Sequence, residues 1–413
     1  NLRHLLNEVF GEENFIANVV WNHTQQSKND EKYFSRHHNQ ILVFRKSESL
    51  ASFYFERSEK DNQAYANPDN DPKGLWRAGD VRSPNYRATL CYQITTPSGK
   101  VLEPPENGWR WKEETLREKF STGEVIFSKD ETRIIRKIYL SEQEGRTPEN
   151  IWLAEFAGTT RHANGELKEL FEEPPFDTPK PTQLIQRMLS LAAPNDGDMV
   201  LDFFAGSGTA AHAVFDLNKQ DRGNRKFILV QLPEPTGRKD FSTIADITKE
   251  RIRRVIKKLN DEDARKLALD GGAKPDRGFK VFKLQTSNFK AWNSEMPKDD
   301  EQLVKQLQLH VDHLVPGRGQ EDVLYELLLK SGFPLTTKVE SITLAGKRIF
   351  SVADGAMLIC LEKVLTSEVI KAMAEKKPER VVCLDEGFAG NDQLKTNAVQ
   401  TMKAKGVTKF QTV

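Results

Sequence analysis

The chain has 413 residues, of which 38% are apolar and 29% charged, and its 61 Lys and Arg against 60 Asp and Glu give a formal net charge of +1. This balance is typical of a soluble globular protein and excludes a uniformly basic coat for nucleic acid, but not a local basic face. No apolar run approaches the roughly 20 residues of a membrane-spanning helix. Three cysteines, Cys91, Cys360 and Cys383, are too few and too dispersed for a disulfide scaffold or zinc ribbon. This sparse use of cysteine predicts a reducing, cytoplasmic location.

The chain opens on an amphipathic segment, NLRHLLNEVF, with Gly11 as its expected stop. A helix that starts at the first residue has no N-cap, and we expect the sequence to begin inside a domain. Apolar runs at 15–21 and 41–44 predict strands.

Residues 51–170 have a different character. Within them, residues 74–157 interleave Trp and Tyr with Arg, and short strand-like pieces alternate with Pro and Gly turns. This pattern predicts a mostly β insert whose aromatic residues form a core.

A cleaner alternation follows in residues 171–262. The patterns predict a helix over 178–192, a buried strand over 199–204, a tight turn at 205–208, a helix over 209–218, a strand over 226–231 and a basic helix over 247–260. Strand, glycine turn, helix and strand in this order indicate a βαβ unit of a parallel sheet. A linker is expected at 263–300, and a second α/β domain at 301–413.

The glycine turn DFFAGSGT (202–209) carries the most chemical information. Gly206 and Gly208 allow the backbone to approach a ligand, and the following helix offers unpaired N–H groups to an anion. A dinucleotide and S-adenosylmethionine both suit this geometry, but the carboxylate of Asp202 would repel a pyrophosphate and suits the ammonium of S-adenosylmethionine. A turn that binds nothing remains open. Gln231 or Glu234, after the next strand, is a candidate acceptor for ribose hydroxyls.

Three segments together resemble a known family: FDTPKPTQLIQRML, DFFAGSGTAAHAV and RKFILVQLPE. They are similar to the cofactor motifs of β-class amino-methylating DNA methyltransferases, above all those of the modification subunit of type III restriction-modification systems, and the C-terminal DEGFAGNDQLKTNAVQTMKAKGVTKFQTV resembles the end of those subunits.

The resemblance implies a fold, a cofactor and partners. The fold is α/β: a Rossmann-like S-adenosylmethionine-dependent methyltransferase sheet, to which residues 1–50 and 171–262 contribute, with an inserted target-recognition region at 51–170 and a C-terminal α/β domain for dimerisation. The implied activity is methylation of the adenine amine in double-stranded DNA, by a homodimer that works with a restriction subunit. The implied cofactor contacts are Lys180, Pro181, Thr182, Asp202, Phe204, Ala205, Gly206, Ser207, Gly208 and Thr209.

The catalytic signature of that family, Asp, Asn or Ser followed by Pro-Pro and an aromatic residue, has no counterpart in its expected place. EPPE (103–106) and EPPF (173–176) are the nearest matches, but both begin with Glu, and the second lies beside the predicted cofactor helix. The catalytic residues are therefore unknown. The alternatives are a non-catalytic DNA- or partner-binding remnant and, less favoured, a nicotinamide-dependent oxidoreductase.

Candidate DNA contacts are arginines, because bidentate Arg contacts to guanine are the most common specific reading of a base. Residues 222–258 hold eleven Lys and Arg against four Asp and Glu, which indicates either a phosphate-binding face or the solvated side of a helix. The candidates are Arg77, Arg82, Arg87, Arg110, Arg251 and Arg254. His310 and His313 lack further ligands, so no metal site is expected.

Overall fold

The computed structural model describes residues 2–27, 31–265, 275–290, 300, 314–388 and 390–413. The chain divides into two compact units, Asn1–Arg277 and Gly278–Val413. This boundary falls inside the segment 263–300 that the sequence suggested as a linker, while the finer domain limits stay predictions. In the described residues, no helix combines the length and the apolar character that crossing a membrane requires.

The first unit mixes helices and short strands. Their bounds in chain order are α1 Leu2–Phe10, β1 Phe15–Asn22, β2 His38–Phe44, α2 Glu59–Asn62, β3 Trp76–Gly79, β4 Ile94–Thr95, β5 Val101–Leu102, α3 Glu113–Ser121, β6 Val125–Phe127, β7 Ile134–Tyr139, β8 Ile151–Trp152, α4 Ala154–Ala157, α5 Thr160–Leu170, α6 Thr182–Ala192, β9 Met199–Asp202, α7 Thr209–Asp221, β10 Lys226–Leu229 and α8 Ile244–Arg265.

The N-terminal elements form a small mixed sheet in the order β2-β1-β8, with β2 antiparallel and β8 parallel to β1. Helix α1 ends where the sequence predicted, because Gly11 adopts a φ of +88°, which favours glycine. Trp21 and Trp152 are buried in the core that joins this sheet to α6. Strand β8 thus connects the far end of the insert to the beginning of the chain.

The insert contains a sheet of order β3-β7-β6 and the separate hairpin β4-β5, all antiparallel. Trp109 is buried in a core with Leu116, Val125 and Ile134, and Trp76 is also buried. The expectation that aromatic residues of this region build a core is confirmed for these two tryptophans.

The βαβ prediction is confirmed, because β9 and β10 pair in parallel and α7 connects them. Helix α6 uses two stripes of apolar residues. Leu184 and Met188 pack into the core of the β1 sheet, while Ile185 and Leu189 pack with α7, β9 and β10. One amphipathic helix therefore supports two sheets that share no hydrogen bonds.

The prediction that β9 is a buried strand is wrong for one face of the sheet. Met199 and Leu201 are 50% and 58% exposed, and Ile228 and Val230 of the neighbouring chain segment are 46% and 48% exposed. These residues alternate along their strands and so share a face, whereas Val200 and Phe227 pack on the helices. Parallel sheets are normally covered on both faces. This face departs from that rule, because the described residues leave its apolar side chains about half exposed.

The second unit contains α9 Gln320–Lys330, β11 Val339–Leu344, β12 Lys347–Val352, β13 Met357–Cys360, α10 Ser367–Glu375, β14 Arg380–Cys383, α11 Asp392–Ala404 and β15 Lys409–Thr412. Its sheet has the order β11-β12-β13-β14-β15, with antiparallel pairing at the first two junctions and parallel pairing at the last two. One core packs α10 and α11 against the sheet, and another packs α9 against it. The predicted α/β character of this region is confirmed.

Candidate functional site

The glycine turn joins the end of β9 to the start of α7. Gly206 and Gly208 have φ values of +54° and +80°, a left-handed conformation that other residues rarely adopt. Gly208 is the N-cap of α7 and leaves it without a side-chain cap. The first-turn N–H groups of α7 thus lack both intrahelical partners and a capping side chain, an arrangement that suits an anionic ligand group.

Asp202 holds one side of the turn. Its Oδ1 accepts a hydrogen bond of 3.0 Å from the N–H of Phe204, and its Oδ2 accepts none within the described residues. Ala205 and Ser207 are buried, whereas Phe204 is 81% exposed. The turn therefore presents a carboxylate oxygen and an exposed ring.

Gln231 holds the other side of the turn, in a manner the sequence did not predict. Its Oε1 accepts a hydrogen bond of 2.8 Å from the N–H of Gly206, and its Nε2 donates to the carbonyl of Leu232 at 3.1 Å. The amide oxygen expected to accept from ribose hydroxyls is thus engaged by the turn. Glu234 is exposed.

The segment Lys180–Pro181–Thr182 lies against the same turn. Pro181 is the N-cap of α6, and the hydroxyl of Thr209 donates to the carbonyl of Lys180 at 3.2 Å across 29 residues of sequence. The N–H and the hydroxyl of Thr182 both donate to Glu166, at 3.0 Å and 2.5 Å. The fold brings together the two segments that the resemblance assigned to one cofactor.

Arg251 was predicted as a DNA contact, and this prediction is wrong for the structure described. Its side chain is fully buried, and its guanidinium donates to Ser207 Oγ at 3.0 Å and to Thr209 Oγ1 at 2.9 Å. A guanidinium shielded from solvent cannot meet a phosphate, so Arg251 is an internal support of the glycine turn.

Arg254 is also engaged by the protein. It donates to Glu250 Oε1 at 2.8 Å and to the carbonyl of Leu170, the last residue of α5, at 2.8 Å. Its guanidinium carbon lies 4.4 Å from the ring centroid of Phe171. Although the side chain is 39% exposed, these contacts favour a role in joining α8 to α5.

Three further residues around the turn were not predicted. Thr248 donates to the carbonyl of Gly206 at 2.6 Å, Glu166 binds Thr182 as described, and the ring of Phe176 lies 3.5 Å from the position that a Cβ on Gly206 would take. Phe176 is both the last residue of EPPF and the first residue of the segment FDTPKPTQLIQRML. Its place at the head of a segment that resembles a cofactor motif was the available signal.

Buried ionisable groups lie behind the turn. Burial raises the pKa of Glu166 above its usual value, although hydrogen bonds from Thr182 oppose this. Burial, with the nearby charge of Arg251, lowers the pKa of His212 to about 3, and burial raises the pKa of Asp216 to about 6. His212 and Asp216 line a cavity of about 550 Å³ between α6, α7 and α8, and no residue of the glycine turn lines it.

The insert displays the remaining predicted DNA contacts differently. Arg77 donates from Nε to the hydroxyl of Tyr65 at 3.2 Å, and Arg82 forms a two-pronged contact with Asp80 at 3.0 and 3.1 Å. Arg87 and Arg110 are exposed, and their guanidinium groups have no hydrogen bond or ion pair within the described residues. Of the four predicted arginines in the insert, these two are the ones without a side-chain partner among the described residues.

Across the ranges that the structure describes, no group of three His, Cys, Asp or Glu side chains is arranged to hold a metal ion. His310 and His313 lie outside the described residues.

The residues of the turn fit the methionine end of S-adenosylmethionine. That end carries a carboxylate, which suits the uncapped start of α7, and an ammonium, which suits the unengaged Oδ2 of Asp202. A pyrophosphate would meet the same Asp202 carboxylate as a like charge.

Comparison with known proteins shows the family of the chain. Residues 1–258 match the model of the DNA methylase family. The chain is 32% identical over 69% of its length to the type III restriction-modification enzyme StyLTI Mod subunit of Salmonella typhimurium, covering 44% of that protein. It is 30% identical over 96% of its length to the EcoP15I Mod subunit of Escherichia coli, covering 65% of it. It is 28% identical over 65% of its length to the type II methyltransferase M.KpnI of Klebsiella pneumoniae, covering 69% of it. The chain thus spans about half to two thirds of the two Mod subunits.

Proposed function

This chain belongs to the DNA methylase family, and on that premise we propose that it carries the S-adenosylmethionine site and the target-recognition region of an adenine-methylating modification subunit of a type III restriction-modification system. The likeness to two Mod subunits over most of the chain supports this proposal.

One observation carries the cofactor assignment: the glycine turn and the start of α6 meet through the hydrogen bond from Thr209 to Lys180. When bound, S-adenosylmethionine supplies a methyl group on a positively charged sulfur. Asp202 holds the ammonium, and the first turn of α7 holds the carboxylate. Lys180, whose carbonyl accepts from Thr209, the adjoining Pro181 and the exposed ring of Phe204 would border the same place. Gln231 shapes the turn with one lone pair of its amide oxygen, so the second lone pair of that oxygen or the exposed carboxylate of Glu234 is the acceptor for the ribose.

DNA is the proposed substrate, with the insert as its reader. Arg87 and Arg110 are exposed and unpaired within the described residues, so they can donate to phosphates or bases without first losing an internal partner. Arg82 and Arg77 would have to exchange Asp80 and Tyr65 for DNA. Homodimerisation through residues 301–413 and association with a restriction subunit belong to the same proposal.

A second candidate is a DNA-binding chain that does not transfer the methyl group by itself. It is favoured by the place of the two Pro-Pro segments. EPPE (103–106) follows the two-residue strand β5 inside the insert and lacks the aromatic residue, and EPPF (173–176) lies between α5 and α6 without a preceding strand. Phe176 packs at the glycine turn. Neither segment follows a strand of the β2-β1-β8 sheet or of the β9-β10 sheet, so neither offers an acceptor for the adenine amine at the edge of those sheets.

The test uses a polypeptide of these 413 residues. Calorimetric titration is expected to show binding of S-adenosylmethionine and none of NAD, and radiolabel transfer to mixed-sequence duplex DNA is expected to stay at background. Binding of NAD alone would replace the methylase proposal by the oxidoreductase. Robust methyl incorporation would mean that a catalytic loop exists within residues 1–413.

DNA binding is measured in the same preparation as a function of salt. Each lost phosphate contact reduces the slope of log K against log salt by about 0.9. Arg87→Ala with Arg110→Ala is expected to weaken binding and flatten the slope, whereas Lys371→Ala, exposed in the second unit, should change neither. An unchanged slope in the double variant would remove these two arginines from the DNA interface.

A further inference from the structure

Arg251 occupies a position on α8 that packing alone would give to an apolar residue. It lies one turn after Ile247 and one turn before Val255, both of which are buried, and its own side chain has no exposed surface. Placing a guanidinium there removes a full charge from water, which is costly unless its partners compensate. The groups that the guanidinium contacts therefore indicate the role of this buried charge.

The guanidinium contacts four segments of the chain. Nη1 donates to Ser207 Oγ and Thr209 Oγ1 of the glycine turn. Nη2 lies 3.4 Å from Thr182 Oγ1 at the start of α6 and 3.3 Å from Glu166 Oε2 on α5. Nη2 also lies 3.2 Å from His212 Nδ1.

These contacts fix the direction of the hydroxyl groups. A guanidinium only donates, so the oxygens of Ser207, Thr209 and Thr182 must accept from it. Their own hydrogens then point elsewhere: Thr182 donates to Glu166 at 2.5 Å, and Thr209 donates to the carbonyl of Lys180 at 3.2 Å. The same guanidinium thus orders two links of the start of α6, one to α5 through Glu166 and one to the glycine turn through Lys180.

The surroundings of His212 agree with this arrangement. Nδ1 can accept from Arg251 only in the neutral imidazole, whose proton is then on Nε2, 3.5 Å from Asp216. The lowered pKa of His212, about 3, keeps the ring neutral near pH 7. The groups that face Arg251 from α5, α6 and α7 are thus Glu166, Thr182 and His212.

We propose that Arg251 is a positioning residue of the cofactor site, whose buried guanidinium, paired with Glu166, holds the glycine turn and the start of α6 in the one arrangement that binds S-adenosylmethionine. This inference rests on the proposed function for its ligand. Arg251 acts through Ser207, Thr209 and Thr182 and does not itself touch the cofactor.

The design separates positioning from stability. Replacing both members of a buried ion pair by uncharged residues often leaves stability unchanged, whereas removing one member leaves an unpaired charge. The variants to be compared with the parent are Arg251→Met, Arg251→Lys and the double variant that combines Glu166→Gln with Arg251→Met. The matched control is Arg253→Met, on the same helix but 58% exposed and, among the described residues, paired with Glu250 alone, at 3.7 Å.

Two quantities are measured, the affinity for S-adenosylmethionine by calorimetry and the thermal midpoint. In the double variant, the midpoint is expected within about 3 °C of the parent. The affinity is expected to fall on the order of 30-fold, because without the guanidinium the turn adopts the binding arrangement only a fraction of the time. Arg251→Lys keeps the positive charge but loses the two planar nitrogens that donate to separate acceptors. Its affinity for S-adenosylmethionine should therefore also lie below that of the parent. Arg253→Met should match the parent in both. A folded double variant with parental affinity would overturn the proposal.

Hydrogen exchange of residues 203–212 provides a readout that needs no ligand. Exchange in this segment is expected to accelerate roughly tenfold in the double variant, with parental rates in α3 of the insert. Parental rates at 203–212 would overturn the proposal, as would unfolding of both Arg251→Lys and the double variant, which would assign Arg251 to the fold as a whole. If the parent binds no cofactor while the double variant still shows this acceleration, the proposed function is contradicted, whereas the role of Arg251 in positioning the turn is retained.

Discussion

The hydroxyl of Thr248 donates a hydrogen bond of 2.6 Å to the main-chain carbonyl of Gly206, although 42 residues separate the two in sequence. The side chain of Thr248 also packs 3.2 Å from the position that a Cβ on Gly208 would take. Arg251 follows Thr248 by about one helical turn, so a single edge of α8 supports the glycine turn twice. The conformation of the turn therefore depends on a helix outside its own βαβ unit.

Thr248→Val should destabilise the protein by about 1–3 kcal/mol, because valine keeps the shape of threonine but leaves the carbonyl of Gly206 without its partner. Urea unfolding measures the change. Thr122→Val is the control, since that hydroxyl is exposed at the end of α3, and it should stay within about 0.5 kcal/mol of the parent. Equal stability of the parent and Thr248→Val would show that the hydrogen bond does not contribute.

Gly206→Val should abolish binding of S-adenosylmethionine and lower stability by about 1–2 kcal/mol, because its φ of +54° places a β-branched residue in the left-handed region. The nearest atom to a Cβ there is Phe176 Cζ at 3.5 Å, an ordinary contact, so backbone strain rather than collision is the cause.

Gly206→Asn separates the two effects of that substitution, because asparagine tolerates the left-handed region. It should fold close to normally and still bind the cofactor poorly, since any side chain stands where the ligand approaches the backbone. Calorimetry and thermal melting are compared for both variants. Normal affinity in a folded Gly206→Val would remove the cofactor from this turn.

Asp216→Asn should stabilise the protein near neutral pH. Burial raises the pKa of Asp216 from 3.8 to about 6, so the folded state binds this proton more tightly than the unfolded chain. The tighter proton binding of Asp216 in the folded state stabilises the fold. This contribution is fully present below pH 3.8 and is lost as the pH rises through 6. Asparagine avoids the buried charge, and a gain of about 1–3 kcal/mol is expected at high pH, shrinking as the pH falls towards 4.

The measurement is urea unfolding of both proteins across that pH range. Asp221→Asn, on the same helix, is the control of opposite sign, because a hydrogen bond from Arg225 lowers the pKa of Asp221. It should destabilise the protein at neutral pH. A gain for Asp216→Asn that does not vary with pH would mean that the burial of its charge is not the cause.

The second unit is expected to mediate self-association. A polypeptide ending at Arg277 keeps the first unit whole, including the 2.6 Å ion pair between Arg277 and Asp263, and it should be monomeric by light scattering. The full 413 residues should be dimeric. A shortened polypeptide that remains a dimer would place the interface in the first unit.

The sequence alone determined the local architecture. The parallel β9–α7–β10 unit, helix α6 and the α/β character of the second unit follow from apolar periodicity and from glycine at turns, which act between residues close in the chain. The choice of S-adenosylmethionine over a dinucleotide followed from the charge of Asp202. The meeting of the Lys180 and Gly206 segments was implied by resemblance rather than by periodicity.

Only the tertiary structure decided which charged and polar residues face inward. Arg251 and Arg253 lie on the same basic helix, and only packing against α5, α6 and α7 buries the first and exposes the second. The engagement of Gln231 by Gly206 and of Glu166 by Thr182 depends on three-dimensional proximity for the same reason. Composition predicts that an apolar strand such as β9 is buried, but burial requires a covering element, and Leu201 is 58% exposed. Periodicity states which residues share a face, whereas the free energy of a buried charge or an exposed apolar side chain depends on what that face meets.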